Sequence, residues 1–278
     1  PVAVTAFAPG YFIGGGAKHA PGATDVRIDL EHHATVDNPS YEWVAASADG
    51  GDEGNCENCH SQAQDPASTL PFDEWRRDAH AGSSANIRFL TLYTGEDVDG
   101  NLSPFARFGD SRRFSGTDPL VPDPDQPYYG PGFALDYPYT GGSCASCHVP
   151  AGRFDSTFGV DPTTVTGAAG EGVTCDLCHK IWDVVLEADT GLPNRDAPGV
   201  LSYEFRRPPA GHQFFAGPLD DVAPGEDTFT PIQKESEYCA GCHYGVFWDT
   251  TVYNSFGEWK ESPYADSETG RTCQDCHM

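Results

Sequence analysis

The residues of this chain best suited to chemistry are its ten cysteines, and all of them fall into one short pattern. A cysteine, two intervening residues, a second cysteine and a histidine follow one another, and no cysteine lies outside the pattern. The five copies consist of Cys56, Cys59 and His60; Cys144, Cys147 and His148; Cys175, Cys178 and His179; Cys239, Cys242 and His243; and Cys273, Cys276 and His277. Two thiols and an imidazole therefore occur together at five points.

The Cys-x-x-Cys-His pattern is the attachment signature of c-type haem. Two thiols add across the vinyl groups at the porphyrin edge, and the two intervening residues set the reach between them. The histidine after the second cysteine then lies under the ring, where an imidazole nitrogen binds iron. We therefore expect five haem c groups, bound by the ten cysteines and ligated by the five motif histidines.

Other uses of paired cysteines fit this pattern less well. Zinc ribbons combine such pairs in twos, whereas five is odd, and they do not require a histidine after every second cysteine. Redox Cys-x-x-Cys sites do not occur five to a chain. Disulfide frameworks in exported proteins do not repeat one local spacing five times. The three alternatives stay open at this point, but haem attachment explains every cysteine.

On these five motifs the chain resembles the multihaem c-type cytochromes. The resemblance implies haem loading outside the cytoplasmic membrane, and hence an exported protein, extracellular or at the cell surface, with the periplasm as the alternative. It implies a mostly irregular fold with a few short α-helices and minimal β-structure, organised around a chain of closely packed haems. The high glycine and proline content, 31 and 23 residues, agrees with such a fold. No signal peptide is visible at Pro1, and we expect that one was cleaved or that this is the mature part.

Each haem iron needs a second axial ligand, and five further histidines are present for five haems. They are His19, His32, His33, His80 and His212. The single methionine, Met278, directly follows His277 and cannot reach the far face of that haem. Methionine ligation raises the haem potential, so its absence favours lower potentials. We predict low-spin, bis-histidine haems in which these five histidines are the distal iron ligands.

An internal repeat supports the assignment of His80. The segment 72–83 (FDEWRRDAHAGS) aligns with 256–267 (FGEWKESPYADS), and each copy follows a haem motif and precedes another. We interpret it as a duplicated unit of haem site, short helix and next haem site. The second copy has Tyr264 in the place of His80, so that its haem must take a distal ligand from elsewhere.

The other spare histidines lie in segments that favour contact with flat rings. His32 and His33 are adjacent, and in extended backbone adjacent side chains point to opposite faces, so one strand could serve two haems. His212 follows two prolines and Gly211, which stiffen the loop and allow close approach to a ring. His19 lies with the tandem pair in the Gly-rich N-terminal stretch.

The predicted organisation is an N-terminal Gly-rich arm (1–55) that supplies distal histidines, followed by a single five-haem domain (56–278) with a long insertion (84–143). The motif pairs that are close in sequence, second with third and fourth with fifth, predict close pairs of haems. Helices are predicted at 71–80, 172–183, 235–248 and 252–261. Within the insertion, a short hairpin is predicted near 89–93.

Charge and hydropathy exclude several classes of partner. Acidic residues number 42 and basic residues 16, for a net charge of −26, which argues against nucleic acid and anionic membranes. No run of about 18 apolar residues is present to span a bilayer. The acidic surface instead favours cationic partners or divalent cations.

The predicted function is electron transfer, without catalysis, because haems in contact pass electrons from iron to iron. A sharper hypothesis is a repeating subunit, since the chain resembles the extracellular cytochrome filaments called nanowires. An arm histidine would then ligate a haem of the next copy, and the fifth haem would lie at one end of the molecule. Two alternatives remain open: a multihaem reductase or oxidase with one open iron, acting on a small nitrogen or sulfur compound, and a monomeric shuttle or subunit that serves other redox proteins. The lysine-ligated variant motif of such reductases, Cys-x-x-Cys-Lys, is absent.

Overall fold

A computed structural model describes residues 1–50, 54–61, 70–103, 125–138, 140–154, 159–247 and 250–278. The chain divides into two compact units. The terminal unit consists of residues 1–42 and 176–278, and the middle unit of residues 43–175. The predicted boundary after residue 55 stays a prediction.

The helices are short. In chain order they are α1 (Glu57–His60), α2 (Pro71–Trp75), α3 (Ile87–Thr94), α4 (Phe133–Asp136), α5 (Ala145–His148), α6 (Pro150–Arg153), α7 (Cys175–Cys178), α8 (Glu237–His243), α9 (Ser255–Glu261) and α10 (Gln274–His277). Helices of this length are not stable alone in water, so tertiary contacts must hold them. No helix in the described ranges is long and apolar enough to cross a membrane.

Within the described ranges, the strands pair into four two-stranded sheets, which lie in the terminal unit. They are β1 (Val2–Ala6) with β2 (Gly14–His19), β3 (Ile181–Val184) with β4 (Tyr203–Phe205), β5 (Phe215–Gly217) with β6 (Asp227–Phe229), and β7 (Gly245–Phe247) with β8 (Thr250–Tyr253). The pairing of β5 with β6 is parallel and the others are antiparallel. The fold is thus mixed, with few short helices and small sheets, and it contains more β-structure than the minimal amount predicted.

Three of the four predicted helices end earlier than expected. The segments expected to be helical at 172–183 and 235–248 each contain a helix at the haem motif, after which the chain leaves as a strand, β3 or β7. At the start of the first segment Gly172 has a φ of 96°, which an L-residue in a helix does not adopt. The helix expected at 71–80 stops at Trp75 and continues as turns, whereas α9 lies within the predicted 252–261.

The hairpin predicted near 89–93 is wrong, because these residues lie in α3. Asn86 caps the helix by accepting from the backbone N–H groups of Arg88 and Phe89. Phe89 and Tyr93, four residues apart, form its buried face. Of the insertion that contains α3, residues 104–124 and 139 lie outside the described residues.

The N-terminal arm is tied to later residues of the terminal unit. Ile13 donates its backbone N–H to the carbonyl of Asp227, and the Thr228 hydroxyl donates to the carbonyl of Tyr11. The Arg207 guanidinium, which is 5% exposed, donates from Nε and one terminal nitrogen to the two carboxylate oxygens of Asp37. These contacts hold the predicted arm against the segment that carries the last three haem motifs.

A buried ion pair lies beside the third haem motif. Asp176, inside the motif, and Lys180, directly after its histidine, are both 0% exposed at their side chains and are joined as an i, i+4 pair. The Tyr41 hydroxyl donates to the other carboxylate oxygen at 3.0 Å. The Lys180 ammonium also lies 4.3 Å from the centre of the Phe215 ring. Both charges are thus compensated, as burial requires.

Removal of one partner from this pair should destabilise the terminal unit. Lys180→Met leaves the Asp176 carboxylate buried without its cation, which typically costs about 3–5 kcal/mol. The double variant Asp176→Leu/Lys180→Met removes both charges and should recover most of that loss. Urea unfolding of the purified variants measures the difference, and equal stability of the two variants would contradict it.

Candidate haem sites

Each Cys-x-x-Cys-His motif includes a short helix: α1, α5, α7, α8 and α10. In three motifs the backbone N–H of the histidine donates to the backbone carbonyl of the first cysteine, at 2.9 Å for His60, 3.1 Å for His148 and 3.0 Å for His277. A helical turn brings positions i, i+3 and i+4 to one side, so two thiols and an imidazole share a face. None of the ten cysteines is joined in a disulfide. The thiols are therefore in the form that thioether attachment needs.

The described residues do not have the geometry that a disulfide framework or a zinc ribbon requires. A disulfide framework would join the cysteines, and none is joined. A zinc ribbon needs four ligands around one point, and in the described ranges no group of three or more cysteine, histidine, aspartate or glutamate side chains is placed to hold a metal ion.

Two motif histidines are held by backbone carbonyls. Nδ1 of His179 lies 2.7 Å from the carbonyl oxygen of Ala216, and Nδ1 of His148 lies 3.2 Å from that of Ser83. A carbonyl only accepts, so Nδ1 carries the proton and donates. Burial lowers the pKa of both imidazoles, which favours the neutral ring. The lone pair then lies on Nε2, the nitrogen that this arrangement offers to iron.

His33 shows the same arrangement and also has an unsatisfied atom. Its ring is 4% exposed and lies among Phe12, Trp182 and Phe214, with ring centres 5.6, 5.7 and 5.0 Å away. Nδ1 donates to the carbonyl of Ala34 at 3.0 Å, while the buried Nε2 has no hydrogen-bond partner. Burial also lowers the pKa of His33. A buried nitrogen without a partner is costly, and an iron ligand bond would satisfy it. This site fits haem.

His32 and His212 line one pocket of about 190 Å³ in the terminal unit. The ring of His32 lies against Tyr11, with centres 3.8 Å apart. Arg206 also lines the pocket, and its guanidinium carbon lies 3.5 Å above the Trp182 ring. His32 is exposed whereas His33 is buried, so the adjacent rings face different surroundings, as extended backbone predicts. The two predicted ligands His32 and His212 thus face one space.

The remaining predicted ligands occupy more open positions. His19 ends β2 opposite Val2 and is half-buried. Motif histidines His60, His243 and His277 are exposed, as is His80. The ring Nδ1 of His80 lies 2.7 Å from a carboxylate oxygen of Asp78. The structure therefore gives a buried position to His33 and half-buried positions to His148 and His179, and the ligand role of all the histidines stays a prediction.

The internal repeat is present in three dimensions. Phe72 and Phe256 are each 1% exposed, and each ring lies 5.6 Å from that of the tryptophan three residues later. The indole N–H of Trp75 donates to the carbonyl of Val173, and that of Trp259 to the carbonyl of Arg271, both at 2.8 Å. Each acceptor lies two residues before a haem motif. The first repeat therefore docks on the third motif, not on the second, which is next in sequence.

The backbone after each repeat helix contacts the segment before the haem motif a second time. Val173 donates its N–H to the carbonyl of His80 at 3.1 Å, and Arg271 donates to that of Tyr264 at 2.9 Å. Gly172 precedes Val173, and a Cβ on Gly172 would collide with the carbonyl oxygen of His80. Gly270 precedes Arg271, and a Cβ there would collide with the carbonyl oxygen of Tyr264. His80 and Tyr264 thus hold equivalent backbone positions.

The third, fourth and fifth motifs share polar contacts. The Tyr238 hydroxyl donates to the carbonyl of Cys178 at 2.8 Å, and the backbone N–H of Cys273 donates to the Ser236 hydroxyl at 2.9 Å. Burial and a hydrogen bond with the thiol of Cys273 raise the pKa of Cys239. The first cysteines of the fourth and fifth motifs are therefore in contact, and the close pair of haems stays a prediction.

Two contributors were missed from sequence. The Ser83 hydroxyl donates to the backbone carbonyl of His148, whose ring donates back to the Ser83 carbonyl. Asp78 contacts the ring of His80. Ser83 recurs as Ser267 in the repeat, which was the available signal, whereas nothing in the pattern marked Asp78.

Replacement of His33 should remove one axial ligand. In haem-loaded protein, His33→Phe keeps a ring in the aromatic cage but lacks Nε2, so one low-spin haem should become high-spin in the electron paramagnetic resonance (EPR) spectrum. Phe214→Leu disturbs the same cage without removing a nitrogen, and should leave all haems low-spin. If His33→Phe behaves like Phe214→Leu, His33 is not a ligand.

No protein-family model and no curated protein matches the chain. Among solved structures, it is similar to a penta-heme cytochrome c552 from Thermochromatium tepidum, with 18% sequence identity and a TM-score of 0.46. The match covers 80% of this chain and 52% of that one, so the chain spans about half the length of the solved protein. A likeness at this level does not establish a shared fold, and the functional account rests on the residues of this chain.

Proposed function

We propose that the chain is a multihaem c-type cytochrome that transfers electrons through five covalently bound haems. The observation that carries the proposal is the set of five Cys-x-x-Cys-His motifs, each with a helical turn, in which no cysteine is joined in a disulfide. The neutral, carbonyl-held imidazoles of His148 and His179 support it, because they have the protonation state that iron ligation needs.

Haem supplies the one-electron chemistry of iron when it is bound. The chain's own residues hold and orient it: paired thiols fix the porphyrin edge, and carbonyls or carboxylates hold the imidazoles through Nδ1. The rings of Phe12, Trp182 and Phe214 around His33 exclude water. Bis-histidine coordination leaves no open iron position, which suits electron transfer and prevents catalysis. The distal ligands in this proposal are His19, His32, His33, His80 and His212.

The finer form of the proposal is a subunit of an extracellular electron-conducting filament. Support comes from exposed imidazoles at His32, His212 and His277, which are accessible to a second copy. A head-to-tail contact that does not close produces a filament. The net charge of −26 opposes association, so divalent cations or salt would have to screen it. In this form the protein is exported and its partners are other copies of itself.

One observation favours a multihaem reductase as the second candidate. His32 and His212 line a single pocket, and an iron there takes only one distal ligand, so another iron would lack one. The iron with the open position would bind a small nitrogen or sulfur compound.

Spectroscopy and hydrodynamics separate the candidates. In haem-loaded protein, the proposal predicts EPR signals from low-spin haem alone and no spectral change of the reduced protein with carbon monoxide. A ferric high-spin EPR signal, together with a spectral change of the reduced protein on addition of carbon monoxide, would favour the reductase. Size-exclusion chromatography and negative-stain microscopy, with and without Ca²⁺, distinguish a filament from a monomeric shuttle. His32→Gln should shorten any filaments, whereas His33→Phe, at a buried site, should not.

A further inference from the structure

The two copies of the repeat differ at the residue that caps the turn after the helix. In the second copy the Ser262 hydroxyl accepts from the backbone N–H of Tyr264 at 3.1 Å. In the first copy a carboxylate oxygen of Asp78 accepts from the backbone N–H of His80 at 2.8 Å. A hydroxyl is therefore sufficient to accept the backbone N–H in this turn, because the Ser262 hydroxyl does so in the second copy.

The carboxylate of Asp78 has a second partner that the serine does not have. The same Asp78 oxygen lies 2.7 Å from Nδ1 of His80. A carboxylate only accepts, so Nδ1 donates its proton to Asp78 and, in a neutral ring, the lone pair lies on Nε2. The aspartate thus occurs in the copy that has the histidine, and the serine in the copy that has the tyrosine.

The hydrogen-bond acceptor of the His80 ring also differs in charge from those of three other imidazole rings. Nδ1 of His33, His148 and His179 donates to a neutral backbone carbonyl, whereas that of His80 donates to a charged carboxylate. A carboxylate makes the imidazole a stronger electron donor than a carbonyl does, because it draws the Nδ1 proton more strongly. A more basic axial ligand stabilises ferric iron over ferrous iron and lowers the potential.

We propose that Asp78 is a positioning residue that orients His80 and lowers the reduction potential of the haem that His80 ligates. The inference rests on the proposed function, in which His80 is a distal ligand. Since His80 and Asp78 are 48% and 45% exposed at their side chains, water weakens the effect. We expect a change of about tenfold in the reduction equilibrium constant of one haem, which is 59 mV for a one-electron couple.

The repeat supplies the test variants. In Asp78→Ser the first copy takes the capping residue of the second, so the turn is kept and only the contact with the ring is lost. Asp78→Asn keeps the shape and removes the charge, and serves if the serine variant does not fold. Ser262→Asp adds a carboxylate at the equivalent turn, where no histidine is present. His80→Tyr reports whether His80 is a ligand.

EPR-monitored redox titration of the haem-loaded proteins resolves the individual haems. We expect Asp78→Ser to raise the reduction potential of one haem, with a change of about tenfold in its reduction equilibrium constant. Asp78→Asn should raise the potential of the same haem by less, and Ser262→Asp should raise the potential of no haem. We expect His80→Tyr to abolish the low-spin signal of that haem.

Two outcomes overturn the inference and are distinguishable. In the first, His80→Tyr abolishes one low-spin signal, but Asp78→Ser shifts no reduction potential, as is also expected of Ser262→Asp. Asp78 then does not act on the haem, and the proposed function stands. If His80→Tyr leaves five low-spin haems, His80 is not a ligand, and both the inference and that ligand assignment fail.

Discussion

Everything in this structure depends on one local constraint, that two thiols and an imidazole must lie on the same side of a short helical segment. A pattern of i, i+3 and i+4 meets this constraint with five residues, and the chain repeats it five times. The rest of the chain then has to hold these segments and to control the second nitrogen of each imidazole. Loops perform the second task at His148 and His179, where Nδ1 donates to a backbone carbonyl.

This constraint explains why a chain of 278 residues has such short helices and two-stranded sheets. Each motif ends its helix within a residue of the histidine, and in two cases the chain leaves directly as a strand. The structure compensates with paired buried groups, such as Asp176 with Lys180, and with tryptophans that bind the backbone before a motif. We propose that five haems supply the remaining apolar core, as the content of irregular structure requires.

The parts predicted well from sequence are those with a local signature. The helices at the third and fourth motifs were predicted, whereas α1, α5 and α10 at the other motifs were not. The pairs Phe72–Trp75 and Phe256–Trp259 follow from a repeat of i, i+3 aromatics. The strands that follow His179 and His243 were predicted as helix, because helical periodicity does not reveal strand partners. The partner of β3, β4, lies later in the chain, whereas β8 follows β7 closely and their pairing was missed. Helix α3 was predicted as a hairpin because aromatic residues favour strands, although the cap at Asn86 signals a helix. The ligand set was reachable only as a count of histidines, since the burial of His33 depends on tertiary structure and the contact of Asp78 with His80 on the geometry of a local turn.

The central claim is that every motif carries a covalently attached haem. Intact-mass spectrometry of denatured protein, matured in a host with haem-attachment machinery, tests it most directly. The account predicts the 29.9 kDa polypeptide plus the mass of five haem groups, retained after denaturation. A mass equal to the bare polypeptide, or a preparation without colour, would contradict it.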